Sequence, residues 1–156
     1  SLPCGLHGVS NVEAKAYSCL EANAQQVVHL CQMLFGSRLN SGYRKFSLKQ
    51  HFNAILGRSG PNAVSVFKSQ QGCRVKSRVD NALAIVAHEA DVLKVLTSPI
   101  ADSNKYAKML LQLMKQDEWR RLKAQLSFLP IVWSSLAKEM FNALTRPVPR
   151  KFLKCI

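Results

Sequence analysis

An all-α fold is predicted, one compact domain of about six to seven helices with a long first helix, a long central helix and a basic C-terminal tail. Three observations carry this. Apolar residues recur at spacings of three and four along most of the chain. Alternating runs and hairpin turns of the kind that build sheets are few. Ser, Asp, Gly and Pro stand where those periodic stretches begin and end. With 156 residues and 47% hydrophobic composition, the chain is long and apolar enough for a real core, which excludes wholesale disorder. The domain is expected over 1–145 and the tail over 146–156.

The first helix opens at Ser10, where Ser10 and Glu13 make a capping box. Ala16, Leu20, Asn23, Val27, Leu30 and Leu34 continue it as one element until Gly36 stops it. "SRLNSGYRK" reads as a loop. A second helix covers 47–56, with Leu48, Phe52, Ile55 and Leu56 inward and Lys45, Lys49 and Asn53 on the opposite stripe. "GRSGP" breaks it. A short third helix starts at Pro61, with Ala63, Val66, Phe67 and Gln70 sharing a face.

Ser77 and Asp80 then cap a long central helix lined by Val79, Leu83, Val86, Ala90, Leu93 and Leu96 and widened by Ala82, Ile85, Val92 and Val95. "TSPIAD" ends it. Asp102 caps a helix over 105–115. Asp117 caps another, with Trp119, Leu122 and Leu126 inward, which Pro130 breaks. A last helix over 131–144 carries Trp133, Leu136, Met140 and Phe141, and "TRPVPRKFLKCI" is the tail.

Charge is the strongest functional signal. The chain has 22 basic and 9 acidic residues, a formal net charge of +13. Between Glu21 and Asp80 there is no Asp or Glu, where ordinary usage would place about seven. That gap holds Arg38, Arg44, Lys45, Lys49, Arg58, Lys68, Arg74, Lys76 and Arg78. Uncompensated positive charge opposes compaction unless a polyanion neutralises it, with nucleic acid first and an anionic membrane surface second. Arg74, Lys76 and Arg78 also crowd a helix N-terminus, where a bound phosphate would reverse an unfavourable sign. A second basic element, Arg120, Arg121 and Lys123, lies beside Trp119, an aromatic that serves either as core or as a stacking platform for a base.

The segment "ILGRSGPNAVSVFKSQQGCRVKSR" admits three readings. In a helix-turn-helix, Gly57 forms the turn and residues 62–71 form a recognition helix that turns Asn62, Ser65, Lys68 and Ser69 outward. "ILGRSG…GCRV" also resembles the KH family's Ile-Gly-x-x-Gly loop followed by a Gly-x-x-hydrophobic strand; this implies that Gly57, Arg58, Ser59 and Gly60 clamp a nucleic-acid backbone. The third reading is a plain helix–loop–helix connection with solvated cations.

Enzymatic chemistry is not expected. The phosphate-loop pattern is absent, and "GSRLNSG" lacks its lysine. "HEADV" at His88 has no second histidine at zincin spacing. Cys4, His7, His29 and Cys31 could supply zinc ligands, but His29 and Cys31 stand two apart on a helix and do not face one another. No metal or cofactor is expected. Five irregularly spaced cysteines (Cys4, Cys19, Cys31, Cys73 and Cys155) favour a reducing compartment, cytoplasmic or nuclear. No apolar run approaches the ~20 residues of a membrane span, no signal peptide opens the chain, and Ser1 in place of Met reads as a processed or excised product.

The expected function is a non-enzymatic nucleic-acid-binding domain, RNA ahead of DNA, acting through Arg44, Lys45, Lys49, Arg58, Lys68, Arg74, Lys76, Arg78, Arg120, Arg121 and Lys123. The alternative is a structural or interaction subunit (matrix-, capsid- or adaptor-like, with homo-oligomers possible) whose basic face meets acidic lipid or an acidic protein.

Overall fold

A computed structural model describes residues 5–36, 42–58, 65–68 and 77–145, with the backbone alone for 5–10, 42–47, 141 and 144–145. Among the described residues seven α-helices follow in order: α1 Gly5–Ser18, α2 Ala22–Cys31, α3 Gly42–Ile55, α4 Ser77–Ala87, α5 Glu89–Leu96, α6 Lys105–Lys115 and α7 Trp119–Thr145. A π-helical turn, Gln32–Gly36, extends α2, and a 3₁₀ turn, Pro99–Ala101, joins α5 to α6. There is no strand among the described residues, and none of their helices is long and apolar enough to cross a membrane. The tail over 146–156 lies outside them.

The first helix is two helices. Ser10 lies inside α1, so it does not open the helix. The chain breaks at Cys19–Leu20–Glu21 because the ending carbonyls find other donors. The Gln25 amide Nε2 donates to the Ser18 and Leu20 carbonyls, and the Tyr17 hydroxyl donates to the Gln25 carbonyl at 2.8 Å. The Glu21 N–H donates to Gln125 Oε1 on α7. The break lets α1 lie on α7 and α4 while α2 runs into the centre against α4, α6 and α7.

α3 begins earlier than the predicted 47–56 and takes in part of the expected loop. Leu48 and Phe52 are fully buried as predicted. Asn53 is a correction: it is 5% exposed, not on the outward stripe. Gly57 ends the helix at φ +72°, a left-handed conformation that costs glycine little, and its N–H bonds the Ala54 carbonyl.

The third helix does not form where the chain is described, since residues 65–68 are not helical and bend at Val66 and Phe67. Their backbone groups are taken sideways. Ser65 Oγ donates to the Phe35 carbonyl and accepts the Phe67 N–H. The buried Asn81 side chain accepts the Lys68 N–H and donates to the Lys68 carbonyl, as a neighbouring strand would. Gly36 permits this crossing, because a Cβ there would stand 2.6 Å from the Phe67 carbonyl oxygen. The helix-turn-helix reading therefore loses its recognition helix over 65–68. No sheet of the KH kind is present among the described residues, and the segment expected as its strand lies outside them.

The central helix also divides, at His88, into α4 and α5. Its buried face joins the residues predicted to widen it, Ala82, Ile85, Val92 and Val95, to Val79 and Leu96 of the predicted lining, while Leu83 is 54% exposed. α6 has the predicted bounds but a different cap: Asn104 Oδ1, not Asp102, accepts the Tyr106 and Ala107 N–H groups. Pro130 does not break α7, which runs through it for 27 residues. An interior proline costs about 3 kcal/mol. Leu122, Leu126, Leu129 and Trp133 keep one buried face in register across it, and burial of each such side chain contributes roughly 1.5–3 kcal/mol. Continuity wins.

Candidate nucleic-acid interface

The nine acids lie outside the carboxylate-free stretch in sequence, yet the fold brings two of them, Asp80 and Glu13, onto its cations. Asp80 Oδ2 meets Lys68 Nζ at 2.7 Å on the surface. Glu13, from α1, is 1% exposed; its Oε1 accepts the backbone N–H of Arg78 at 2.9 Å and lies 3.8 Å from the Arg78 guanidinium. The start of α4 is the place where Arg74, Lys76 and Arg78 were expected to invite a phosphate. Among the described groups there, the protein's own carboxylate already accepts that N–H. The guanidinium also stacks over the Tyr17 ring, 5.6 Å from its centroid.

The second basic element is paired too. Arg121 Nε donates to Glu21 Oε2 at 2.8 Å, with Glu118 at 3.7 Å. Gln125 Nε2 also donates to Glu21 Oε2. Lys123 Nζ meets Glu89 Oε2 at 3.1 Å. Trp119 is buried, and its Nε1–H donates to Glu89 Oε1 at 2.8 Å. It is core, and offers no face to a base.

Lys49, Arg58 and Arg120 remain: none has an ion-pair partner among the described residues. Lys49 is half-buried on α3; Arg58, just beyond that helix, and Arg120 are exposed. Lys45 stands one turn before Lys49, and Arg44 adjoins it; their side chains, and the whole of Arg74 and Lys76, lie outside the described residues. Of the eleven candidates, Lys68, Arg78, Arg121 and Lys123 are paired; Lys49 and Arg58, on and after α3, and Arg120, on α7, have no ion-pair partner among the described residues; the side chains of the other four lie outside them. Sequence reading missed the partners Glu13, Glu21 and Glu89. In a chain so poor in acids, their scarcity was the available signal.

Titration follows this pairing. Burial alone would raise the Glu89 carboxyl, but the Trp119 and Lys123 donors outweigh it and hold the group below its ordinary value. Hydrogen bonds from Arg121 and Gln125 lower Glu21. A depressed carboxyl contributes stability above its unfolded value, near 4.5, and the contribution is lost as pH falls through the native value. Thermal melts should therefore be nearly flat from neutral pH to that point and fall below it. A Glu21→Gln/Glu89→Gln double variant should flatten the acid limb, and an unchanged limb would refute the assignment. Burial pushes the Tyr17 phenol up to about 12, against the opposing pull of Arg78. Its contribution is present below pH 10.0 and is lost as pH rises toward 12.

Burial also pushes the Cys31 thiol up, keeping it protonated and a poor nucleophile, whereas Cys19 is exposed. Among the described residues no group of three or more His, Cys, Asp or Glu side chains could hold a metal ion. No model of a known family, no curated protein and no solved structure matches this chain, so its functional reading rests on its own residues.

Proposed function

We propose that this chain is a non-enzymatic helical domain that binds nucleic acid, RNA ahead of DNA, by neutralising phosphates along α3 and the turn after it. The observation that carries the reading is that Lys49 and Arg58, inside the carboxylate-free stretch, have no ion-pair partner among the described residues, while Lys68, Arg78, Arg121 and Lys123 do. Arg44 and Lys45 extend that stretch toward the start of α3, and Arg74 and Lys76 belong to the same carboxylate-free run. The bends at Val66 and Phe67 support RNA ahead of DNA, because no helix spans 65–68 to enter a major groove. Binding of this kind is mainly electrostatic, with modest sequence preference.

The test is fluorescence anisotropy with labelled single-stranded RNA, duplex RNA and duplex DNA across a salt series. Each phosphate contact adds about 0.7 to 0.9 to the slope of log K against log salt. A Lys49→Glu/Arg58→Glu variant should lower that slope by about two and weaken all sequences alike. Lys68→Ala, whose ammonium Asp80 already holds, should change it less. Wild-type binding unaffected by the double reversal would remove this face. Failure of the wild type to bind at low salt would end the nucleic-acid reading.

The second reading, a helical interaction subunit with an acidic protein or anionic lipid as partner, is favoured by an apolar groove between α1 and α7. Light scattering separates a self-assembling subunit, whose mass rises with concentration, from a monomeric RNA binder.

A further inference from the structure

We infer that the groove between α1 and α7 is a docking site for an acidic amphipathic helix of a partner protein. The groove encloses about 960 Å³. Val12, Ala16 and Leu20 form one wall, and Phe128, Val132 and Leu136 the other. On α7 the wall follows helical spacing, so it is a continuous face and not a scatter of apolar atoms. Phe128 is 62% exposed and Ile131, one turn on, is 63% exposed. The core has no use for either side chain, and Phe128 stands on the groove's α7 wall, where an exposed apolar ring next to an apolar groove marks an interaction site.

Shape and charge choose the occupant. From Arg121 to Leu136 the α7 wall runs roughly 22 Å at ~1.5 Å per residue, the length of about four helical turns. The groove is open along its side, as the exposure of Phe128 shows. An acyl chain lying there would keep one flank in water, whereas a helix turns its polar flank outward and buries only its apolar one. The rim is basic. Exposed Lys15 lines the α1 side with no ion-pair partner among the described residues, and Arg121 closes one end with Arg120 beside it. Glu21, at that same end, already holds Arg121, which leaves Lys15 as the cation that an incoming carboxylate would meet. A second copy of the chain would set +13 against +13. An acidic partner is therefore favoured over self-docking. α3 contributes no residue to the groove, so this inference stands apart from the phosphate-binding reading.

The probe is a fluorescein-labelled peptide of about sixteen residues, matched to the wall length, with leucines at spacings of three and four and glutamates on its flanks. It is titrated against the full chain by anisotropy at about 0.15 M salt, beside a scrambled peptide of the same composition and a lysine-flanked one. Saturable binding of the acidic peptide alone is expected. Phe128→Asp should weaken it about tenfold or more, Lys15→Glu should weaken it severalfold, and Lys49→Glu/Arg58→Glu should leave it unchanged. Phe128 is largely in water, so the aspartate variant should keep its helical circular dichroism. If it does not, Phe128→Ala and the comparison of acidic with scrambled peptide on wild-type protein decide the matter. Equal binding of the scrambled peptide, indifference to both Phe128 substitutions, or no saturable binding would overturn the inference. A fluorescent long-chain fatty acid that binds where the peptide does not would give the groove to lipid instead.

Discussion

Replacing Phe52 with alanine is expected to lower the unfolding free energy by about 3 to 5 kcal/mol. Phe52 is fully buried on α3. Its ring centroid lies 4.8 Å from that of Phe35, on the π-helical turn, and 5.6 Å from that of Phe67, in the 65–68 segment; Phe35 and Phe67 are 5.7 Å apart. The His88 ring meets Phe52 edge-on at 6.4 Å. Three segments distant in sequence therefore converge on one side chain. The hole left by the ring cannot close easily, because Ser65 and Asn81 tie the 65–68 segment by hydrogen bonds and Gly36 already touches Phe67. A domain of this size has roughly 5 to 15 kcal/mol in all, so the loss would be about a fifth of it or more. Urea denaturation followed by circular dichroism measures it; a loss under about 1.5 kcal/mol would contradict this account of the cluster. Because α3 carries the proposed interface, RNA affinity should fall along with stability.

Glu13→Ala should have the second largest effect, about 3 kcal/mol. Removing one member of a buried ion pair costs about 3 to 5 kcal/mol, and the Arg78 side chain, 28% exposed, recovers some water and moves the cost to the low end. Glu13→Gln keeps an acceptor for the Arg78 N–H and should lose less, the difference between the two variants reporting the charge. Glu21→Ala removes an exposed partner of Arg121 and should cost far less than Glu13→Ala, in an effect that fades with salt. A further consequence separates this assignment from mere packing loss. With the carboxylate gone, the N-terminus of α4 and the Arg78 guanidinium become available to an external anion. Added phosphate should then raise the melting temperature of Glu13→Ala more than that of the wild type. Equal shifts would show that Glu13 does not occupy an anion site.

These two residues mark the line between local and tertiary information. The all-α class, the bounds of α6, the inward face Leu48–Phe52 and the core role of Trp119, Leu122 and Leu126 were readable from spacing, because helical periodicity is a local property. Spacing could not say where a continuous pattern would bend. The breaks at Cys19–Glu21 and His88 leave the apolar rhythm intact, and Gln25 and Gln125 accommodate the first by hydrogen bonds the rhythm does not encode. In the sequence Pro130 reads as a stop, because its local cost is visible there and the burial that offsets it is not. The same holds for the choice of face on α4, where Ile85 is buried and Leu83 left in water.

Net charge and the carboxylate-free stretch belong to the sequence alone, and they raise the question of a polyanion. Which cations are free to meet one was decided by tertiary structure. Glu13 reaches Arg78 across 65 residues, Glu89 reaches Lys123 across 34, and Glu21 reaches Arg121 across 100. Ion pairing depends on distance in space, which falls off over a few ångströms, and a linear reading of charge has no access to it.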